Sequence, residues 1–198
     1  GQYFDVEENE RGTFIFNSKD LCTIEHIPEL VKSGITSLKI EGRVKTSFYV
    51  ATVVGAYRRE IDRYLEDPEG YVFDPAELDE LCKVSHRPYT TGFYFGRPGA
   101  EAQVYETSSY IRDYELIGIV RSYDPESGRM IVTQRNRFFE GDEIEIMQPM
   151  KPFITAKVRD MRDENGGSID SAPHAEQIVT MDAPGPVCEG AMLRKKRV

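Results

Sequence analysis

The sequence contains no tryptophan, only three cysteines and no long run of apolar residues. A membrane span needs roughly 20 consecutive apolar residues, so the sequence predicts no transmembrane helix. Cys22, Cys82 and Cys188 are odd in number and lie far apart, which fits neither a disulfide framework nor a self-contained zinc site. We therefore expect a reducing, cytoplasmic setting.

The N-terminus lacks two features of a secreted or complete protein. The first residue is Gly1 rather than methionine, and no basic and then apolar stretch typical of a signal peptide follows it. We expect the chain to be a fragment or processed product of a longer protein. Residues essential to its activity would then lie upstream.

The common catalytic motifs are also missing. The sequence has no G-x-S-x-G, no H-E-x-x-H, no phosphate-binding G-x-x-x-x-G-K-[ST] and no G-x-G-x-x-G. Motif matching therefore assigns neither a hydrolase nor a nucleotide-binding function.

What the sequence does contain indicates a folded protein of one or two domains. Its 198 residues are 39% hydrophobic and 11% aromatic. The net charge of -9 disfavours non-specific nucleic-acid binding by the whole surface. The clearest local exception is a run of four basic residues, for which we weigh a solvated tail against a nucleic-acid contact: Arg194, Lys195, Lys196 and Arg197.

The first half of the sequence alternates predicted strands and helices. Strands are expected at 13–17 and 35–40, and helices at 27–34, 46–65 and 75–82, the last capped by Asp74. Spacings of three and four predict that one face of the long helix is apolar, through Val50, Val53, Val54, Tyr57, Ile61 and Leu65. The alternation favours a parallel sheet, of which two strands are only a part.

The second half shows short strands separated by turn residues. We expect strands at 116–123, 129–134, 143–146, 153–161, 168–170, 177–181 and 191–194, with turns at 124–128 and 165–167. This pattern predicts a small β-barrel or sandwich.

One charged constellation follows the second predicted strand. Lys39, Glu41 and Arg43 alternate with Ile40 and Gly42, so a strand would aim the three charges the same way. Polar residues at the carboxyl end of a parallel strand line ligand sites, which makes them candidates for binding or acid–base catalysis. The alternative is a structural ion pair.

A cysteine and a histidine form a second, weaker candidate. His26 follows Cys22 at i+4, a spacing that would place both on one helix face. A lone cysteine is more often a small buried apolar residue.

Two further groups are candidate RNA or substrate contacts. Arg87, Tyr89 and two threonines precede the aromatic stretch Gly92–Gly96, for which the alternative is a packed linker strand. A predicted hairpin carries Arg135 and Arg137 close to Arg129. If these arginines bind phosphates, binding should fall steeply with salt.

Three motifs resemble the collagenase-like peptidases, family 32 of unassigned mechanism. They are FNSKDLC at 16–22, KIEGR at 39–43 with its following helix, and RPYTTGF at 87–93. The resemblance covers essentially the whole chain and implies that residues 1–66 end a TIM-type (β/α) barrel. We expect a helix and linker segment at 67–111, and the resemblance implies a β-barrel at 112–198 similar to domain two of translation elongation factors.

The family contains two kinds of activity. The resemblance implies first the C-terminal part of a peptidase, with the β-barrel as an accessory domain that binds substrate or RNA. The alternative is an enzyme that hydroxylates transfer or ribosomal RNA and carries an iron–sulfur cluster. The resemblance implies that Cys22 stands at the position of the fourth cluster ligand and that the other three cysteines lie upstream. We therefore expect the cluster in the longer protein and no cofactor in this fragment. The expected partners are a peptide or a structured RNA, and a second copy of the chain. We expect no membrane partner.

Overall fold

The computed structural model describes residues 7–10, 12–14, 17–104 and 109–197. The chain forms two compact units. The N-terminal unit comprises residues 1–45 and 52–112, and the C-terminal unit comprises residues 46–51 and 113–198.

The three predicted helices are confirmed. They are α1 (Ile27–Lys32), α2 (Ser47–Glu66) and α3 (Pro75–Cys82), and a 3-10 turn at Ile24–His26 leads into α1. Asp74 caps α3 by accepting a hydrogen bond from the Ala76 backbone N–H at 3.0 Å. None of the helices in the described ranges is long and apolar enough to cross a membrane.

The buried face of α2 differs from the predicted face. Val53, Ala56 and Tyr64 are buried, whereas Val54 and Leu65 are 45% and 56% exposed. Apolar residues lie on more than one side of this helix, so spacing alone does not identify the side that packs inward. Val54, Ile61 and Leu65 of the predicted apolar face lie on one side of the helix, where they line a cavity rather than a closed core.

Four short strands belong to the N-terminal part of the chain. β1 (Glu7–Asn9) pairs antiparallel with β2 (Gly12–Phe14), and β3 (Asp20–Leu21) pairs parallel with β4 (Tyr89–Thr90). The strand predicted at 13–17 is observed through residue 14, and residues 15 and 16 lie outside the described ranges. The sequence pattern did not indicate β3.

The strand predicted at 35–40 is wrong. This segment has no strand structure, and Ile35 is 48% exposed. A strand exists only when a neighbouring chain accepts its backbone hydrogen bonds, and alternation of side chains does not supply that neighbour. The segment instead lines a cavity of about 390 Å³ together with Val54, Ile61 and Leu65 of α2.

The C-terminal unit consists of antiparallel strands, and the predicted turn at 124–128 joins the first two of them. The strands are β5 (Tyr114–Asp124), β6 (Arg129–Gln134), β7 (Phe138–Phe139), β8 (Glu143–Met147), β9 (Ile154–Lys157), β10 (Ser171–Ala172), β11 (Ile178–Asp182) and β12 (Met192–Lys196). Six of them form one sheet in the order β11-β6-β5-β12-β8-β9, and β7 pairs with β10. The chain is thus a mixed α/β protein.

The six-stranded sheet curls back on itself. After edge strand β9, the backbone of Arg162 exchanges hydrogen bonds of 2.8 and 2.9 Å with Thr180 in the opposite edge strand, β11. Both sheets contribute to one buried core, which includes Ile117, Phe138 and Leu193. Burial of these apolar side chains stabilises a unit that is built from short strands.

Candidate substrate-binding edge

The candidate site lies where the parallel strands β3 and β4 end. Cys22 directly follows β3, and its backbone N–H donates to the Thr90 carbonyl of β4 at 2.9 Å. Thr91 and Gly92 directly follow β4. Because the carboxyl ends of parallel strands meet at one edge, Cys22 and the segment after β4 share that edge, where α/β proteins bind their ligands.

The thiol of Cys22 faces the hydroxyl of Tyr57 on α2. The two atoms are 3.7 Å apart, and the same hydroxyl accepts a 2.9 Å hydrogen bond from the Thr23 backbone N–H. Burial raises the pKa of Tyr57 to about 12, so the phenol keeps its proton at neutral pH. The phenol oxygen thus accepts from Thr23 and can donate its proton to the Cys22 sulfur.

Burial also raises the pKa of the Cys22 thiol, although the contact with Tyr57 works in the opposite direction. The thiol is therefore neutral at pH 7, unlike the thiolate of a cysteine nucleophile. The expected helical pairing with His26 is wrong, because Cys22 precedes the first helical turn. His26 instead lies 3.8 Å from the Glu29 carboxylate and packs on the ring of Phe95.

An aromatic turn follows β4 at the same edge. Phe93, Tyr94 and Phe95 are 77%, 58% and 58% exposed. Gly92, which opens the turn, has a φ of 57° and lies against the Leu21 side chain. Three exposed aromatic rings therefore stand next to the cysteine edge.

The predicted acid–base residues do not lie on a strand. Lys39, Glu41 and Arg43 are all exposed, and the Glu41 carboxylate accepts a 2.9 Å hydrogen bond from the Arg43 backbone N–H. Without a strand, the argument that alternation aims their charges the same way no longer holds. Their catalytic role stays a prediction.

Arg87 and Tyr89 hold the N-terminal unit together. The Arg87 backbone N–H donates to the Asp20 carboxylate at 2.9 Å. The Arg87 guanidinium donates to the Asn17 side-chain oxygen at 3.1 Å and to the Ser18 carbonyl at 3.0 Å. The Tyr89 hydroxyl donates to the Leu81 carbonyl at 2.9 Å, and its ring stacks on His86. These contacts give both residues a structural role, and RNA binding by them stays a prediction.

The C-terminal basic run is not a solvated tail, because Met192–Lys196 form β12. Arg194 is completely buried and donates to Glu145 at 2.8 Å, so its guanidinium is not exposed to an external phosphate. Lys195 pairs with Asp142 at 2.7 Å. Lys196 and Arg197 are exposed.

The two arginines predicted to bind RNA on the β6 side are partly exposed. Arg135 pairs with Glu176 at 2.5 Å. The guanidinium of Arg137 lies 5.3 Å from the centre of the Phe139 ring. Their role in binding stays a prediction.

An iron–sulfur cluster of the kind implied by the resemblance requires four thiolates or equivalent ligands. Over the described residues, no group of three or more histidine, cysteine, aspartate or glutamate side chains could hold a metal ion. The partly buried thiol of Cys22 fits the role of one such ligand. The remaining ligands would have to come from outside this chain.

Comparison with known proteins identifies the family. Residues 2–104 match the model of peptidase family U32, and residues 112–194 match the model of the peptidase family U32 C-terminal domain. The chain belongs to peptidase family U32. The resemblance predicted from the three sequence motifs is confirmed.

Curated U32 relatives have names of two kinds. The chain is 39% identical over 94% of its length to tRNA hydroxylation protein P1 of Bacillus subtilis, and 33% identical over 93% to tRNA hydroxylation protein P of Escherichia coli. It is 28% identical over 83% to a collagenase of Porphyromonas gingivalis. It spans 44%, 40% and 39% of these three relatives.

A solved structure that matches part of the chain comes from the same family. It is the C-terminal domain of a Geobacillus thermoleovorans protein described as a U32 peptidase. The identity is 40%, the match covers 41% of this chain and 99% of that one, and the TM-score is 0.40.

Sequence reasoning missed Tyr57 as the partner of the cysteine. Tyr57 was assigned to the apolar face of α2, and 35 residues separate it from Cys22. Nothing in the local pattern distinguishes a tyrosine that packs from one that hydrogen-bonds a thiol. The exposed aromatic turn, by contrast, is visible in the sequence as three consecutive aromatic residues between glycines.

Proposed function

We propose that this chain is the C-terminal part of a U32 protein that hydroxylates tRNA. The observation that carries the proposal is the place of Cys22, at the carboxyl edge of a parallel strand pair and beside an exposed aromatic turn. The two tRNA hydroxylation proteins compared above support it, because their similarity extends over more than nine-tenths of the chain.

In this proposal the N-terminal unit completes a TIM-type (β/α) barrel that begins upstream. The parallel pair β3–β4 and the long helix α2 are the parts that such a barrel would use. The C-terminal unit would be a β-barrel like domain two of elongation factors and would act as an accessory RNA-binding domain. The proposal places the protein in the cytoplasm, where tRNA is found.

Cys22 would supply one thiolate to an iron–sulfur cluster. Such a cluster, when bound, supplies electron transfer. The chain's own residues hold the ligand in place: Tyr57 contacts the sulfur, and Thr23 fixes the tyrosine hydroxyl. Metal binding would release the thiol proton, which burial otherwise retains on the sulfur.

Peptide hydrolysis receives less support from this site. A cysteine nucleophile requires a lowered thiol pKa, and burial raises the pKa of Cys22. The collagenase relative is also less similar than the tRNA hydroxylation proteins. We therefore put RNA hydroxylation ahead of the peptidase function that the resemblance first implied.

The test uses the longer protein, purified without oxygen. We expect iron and visible absorbance in the wild type, loss of both in Cys22→Ala, and retention of both in the control Cys188→Ala. Nucleoside mass spectrometry of tRNA from cells that carry each variant should show hydroxylation lost only with Cys22→Ala. Equal iron in all three proteins, or no iron together with cleavage of gelatin, would contradict the proposal.

A further inference from the structure

The exposed aromatic turn is costly unless it has a partner. Phe93, Tyr94 and Phe95 are consecutive, and each leaves more than half of its surface in water. Contiguous exposed apolar side chains of this size typically mark an interaction site.

The turn is held in one shape. The Gly92 backbone N–H donates to the Thr90 hydroxyl at 3.2 Å, and the Tyr94 backbone N–H donates to the Thr91 carbonyl at 3.3 Å. Gly92 adopts the left-handed conformation, which other residues rarely adopt. The His26 ring supports Phe95, with ring centres 4.3 Å apart. Because the turn is already ordered, it loses less conformational entropy when a ligand binds the rings.

The position of the turn connects it with the cysteine. The turn follows β4 directly, as Cys22 follows β3, and a side chain added at Gly92 would lie 3.1 Å from Leu21. Leu21 is itself 60% exposed. A planar group resting on the turn would therefore lie at the edge that carries the thiol.

We propose that the Gly92–Phe95 turn is a platform on which an unpaired base of the substrate RNA stacks. This inference rests on the proposed function and deepens it by naming the contact with the substrate. Bases of single-stranded loops stack on phenylalanine and tyrosine rings, and every base has a suitable face. Phe93, the most exposed of the three, would make the main contact, and Phe95 would be the supported second ring.

A single substitution provides an optical test. The chain has no tryptophan, so Phe93→Trp introduces its only indole. We expect an RNA stem–loop to quench the fluorescence of this variant in a saturable way, and a duplex of the same composition to quench it less. The control is Val72→Trp, at a residue that is 76% exposed in the same unit. Equal quenching at both positions would overturn the inference.

An affinity measurement gives an independent result. Removal of one stacking ring typically lowers the affinity for a single-stranded nucleic acid about fivefold or more. We expect a loss of this size for Phe93→Ala with the stem–loop. The control Val72→Ala removes an apolar side chain that is 76% exposed in the same unit and should leave affinity unchanged. Circular dichroism of each variant verifies that it is folded.

The outcomes separate the inference from the proposed function. If the wild type binds the stem–loop and folded Phe93→Ala binds it equally well, the inference that the turn stacks a base is wrong, while RNA binding by the chain stands. If wild-type protein binds no RNA but a gelatin peptide quenches the Phe93→Trp fluorescence, both the platform and the RNA function are wrong.

Discussion

At the scale of single residues, opposing effects act on the pKa of the Cys22 thiol. Burial raises the pKa, whereas the contact with the Ile24 backbone lowers it, as does the hydrogen bond with the Tyr57 hydroxyl at 3.7 Å. The hydrogen bond lowers the pKa because it stabilises the charged thiolate more than the neutral thiol. The balance leaves the pKa above its ordinary value, so the thiol reacts slowly at neutral pH.

We expect Tyr57→Phe to raise the pKa of Cys22 further, because it removes the donor and keeps the apolar ring. In this chain, the midpoint of the pH dependence of Cys22 alkylation should move to higher pH, and the rate at pH 8 should fall. Alkylation of the Cys22 peptide by iodoacetamide, followed by mass spectrometry, measures both.

A midpoint shift distinguishes a changed pKa from a changed exposure, which would alter only the rate at high pH. The control is Tyr71→Phe, which removes a hydroxyl that donates to Glu60 rather than to Cys22. It should leave the midpoint where it is in the wild type. An unchanged midpoint in Tyr57→Phe would show that the hydroxyl does not donate to the sulfur.

At the scale of elements, β5 and β6 approach so closely that only glycine fits at one position. A side chain at Gly118 would clash with Cγ1 of Val132 and lie 3.3 Å from the Thr133 carbonyl oxygen. Val132 is completely buried and branched at Cβ, so it has little freedom to move. The sheet therefore depends on this glycine.

We expect Gly118→Ala to destabilise the C-terminal unit by about 1–3 kcal/mol, the usual cost of overfilling a packed core. Urea unfolding followed by circular dichroism measures the change. The control Ser122→Ala alters an exposed residue of the same strand and should change stability by less than about 0.5 kcal/mol. Equal midpoints for the two variants would refute the close approach.

The elements also show which features a sequence can predict. The helices α1, α2 and α3 were predicted because helix hydrogen bonds and caps lie within a few residues of each other. The hairpin of β5 and β6 was predicted because its turn residues are local. The prediction of a strand at 35–40 failed, because a strand requires a neighbouring strand that local alternation cannot reveal.

The same distinction applies to the candidate site. Cys22 was singled out by its family motif, but Tyr57 is 35 residues away and only folding brings the two together. Arg194 looked like part of a charged tail because its partner, Glu145, lies 49 residues earlier. Contacts of this kind depend on topology, which a single sequence does not specify.

At the scale of the whole molecule, charge limits how the chain can bind RNA. The net charge is -9, and several of the basic residues are already paired within the C-terminal unit. The shortest ion pairs of that unit join Arg129 with Asp160 at 2.5 Å, Arg135 with Glu176 at 2.5 Å, Arg194 with Glu145 at 2.6 Å and Lys195 with Asp142 at 2.7 Å. These paired cations are less available to displace counterions from phosphates.

We therefore expect RNA binding by this chain to depend only weakly on salt. Each phosphate contact contributes about 0.7–0.9 to the slope of log affinity against log salt concentration, so two or three contacts give a slope of about 2 in magnitude. Titrations of a stem–loop between about 50 and 200 mM KCl cover the informative range. A slope of about 5 or more that falls in the double variant Arg135→Ala/Arg137→Ala would show that the basic cluster binds phosphates. A shallow slope that is unchanged in that variant is the result expected if stacking on the aromatic turn, rather than charge, provides most of the affinity.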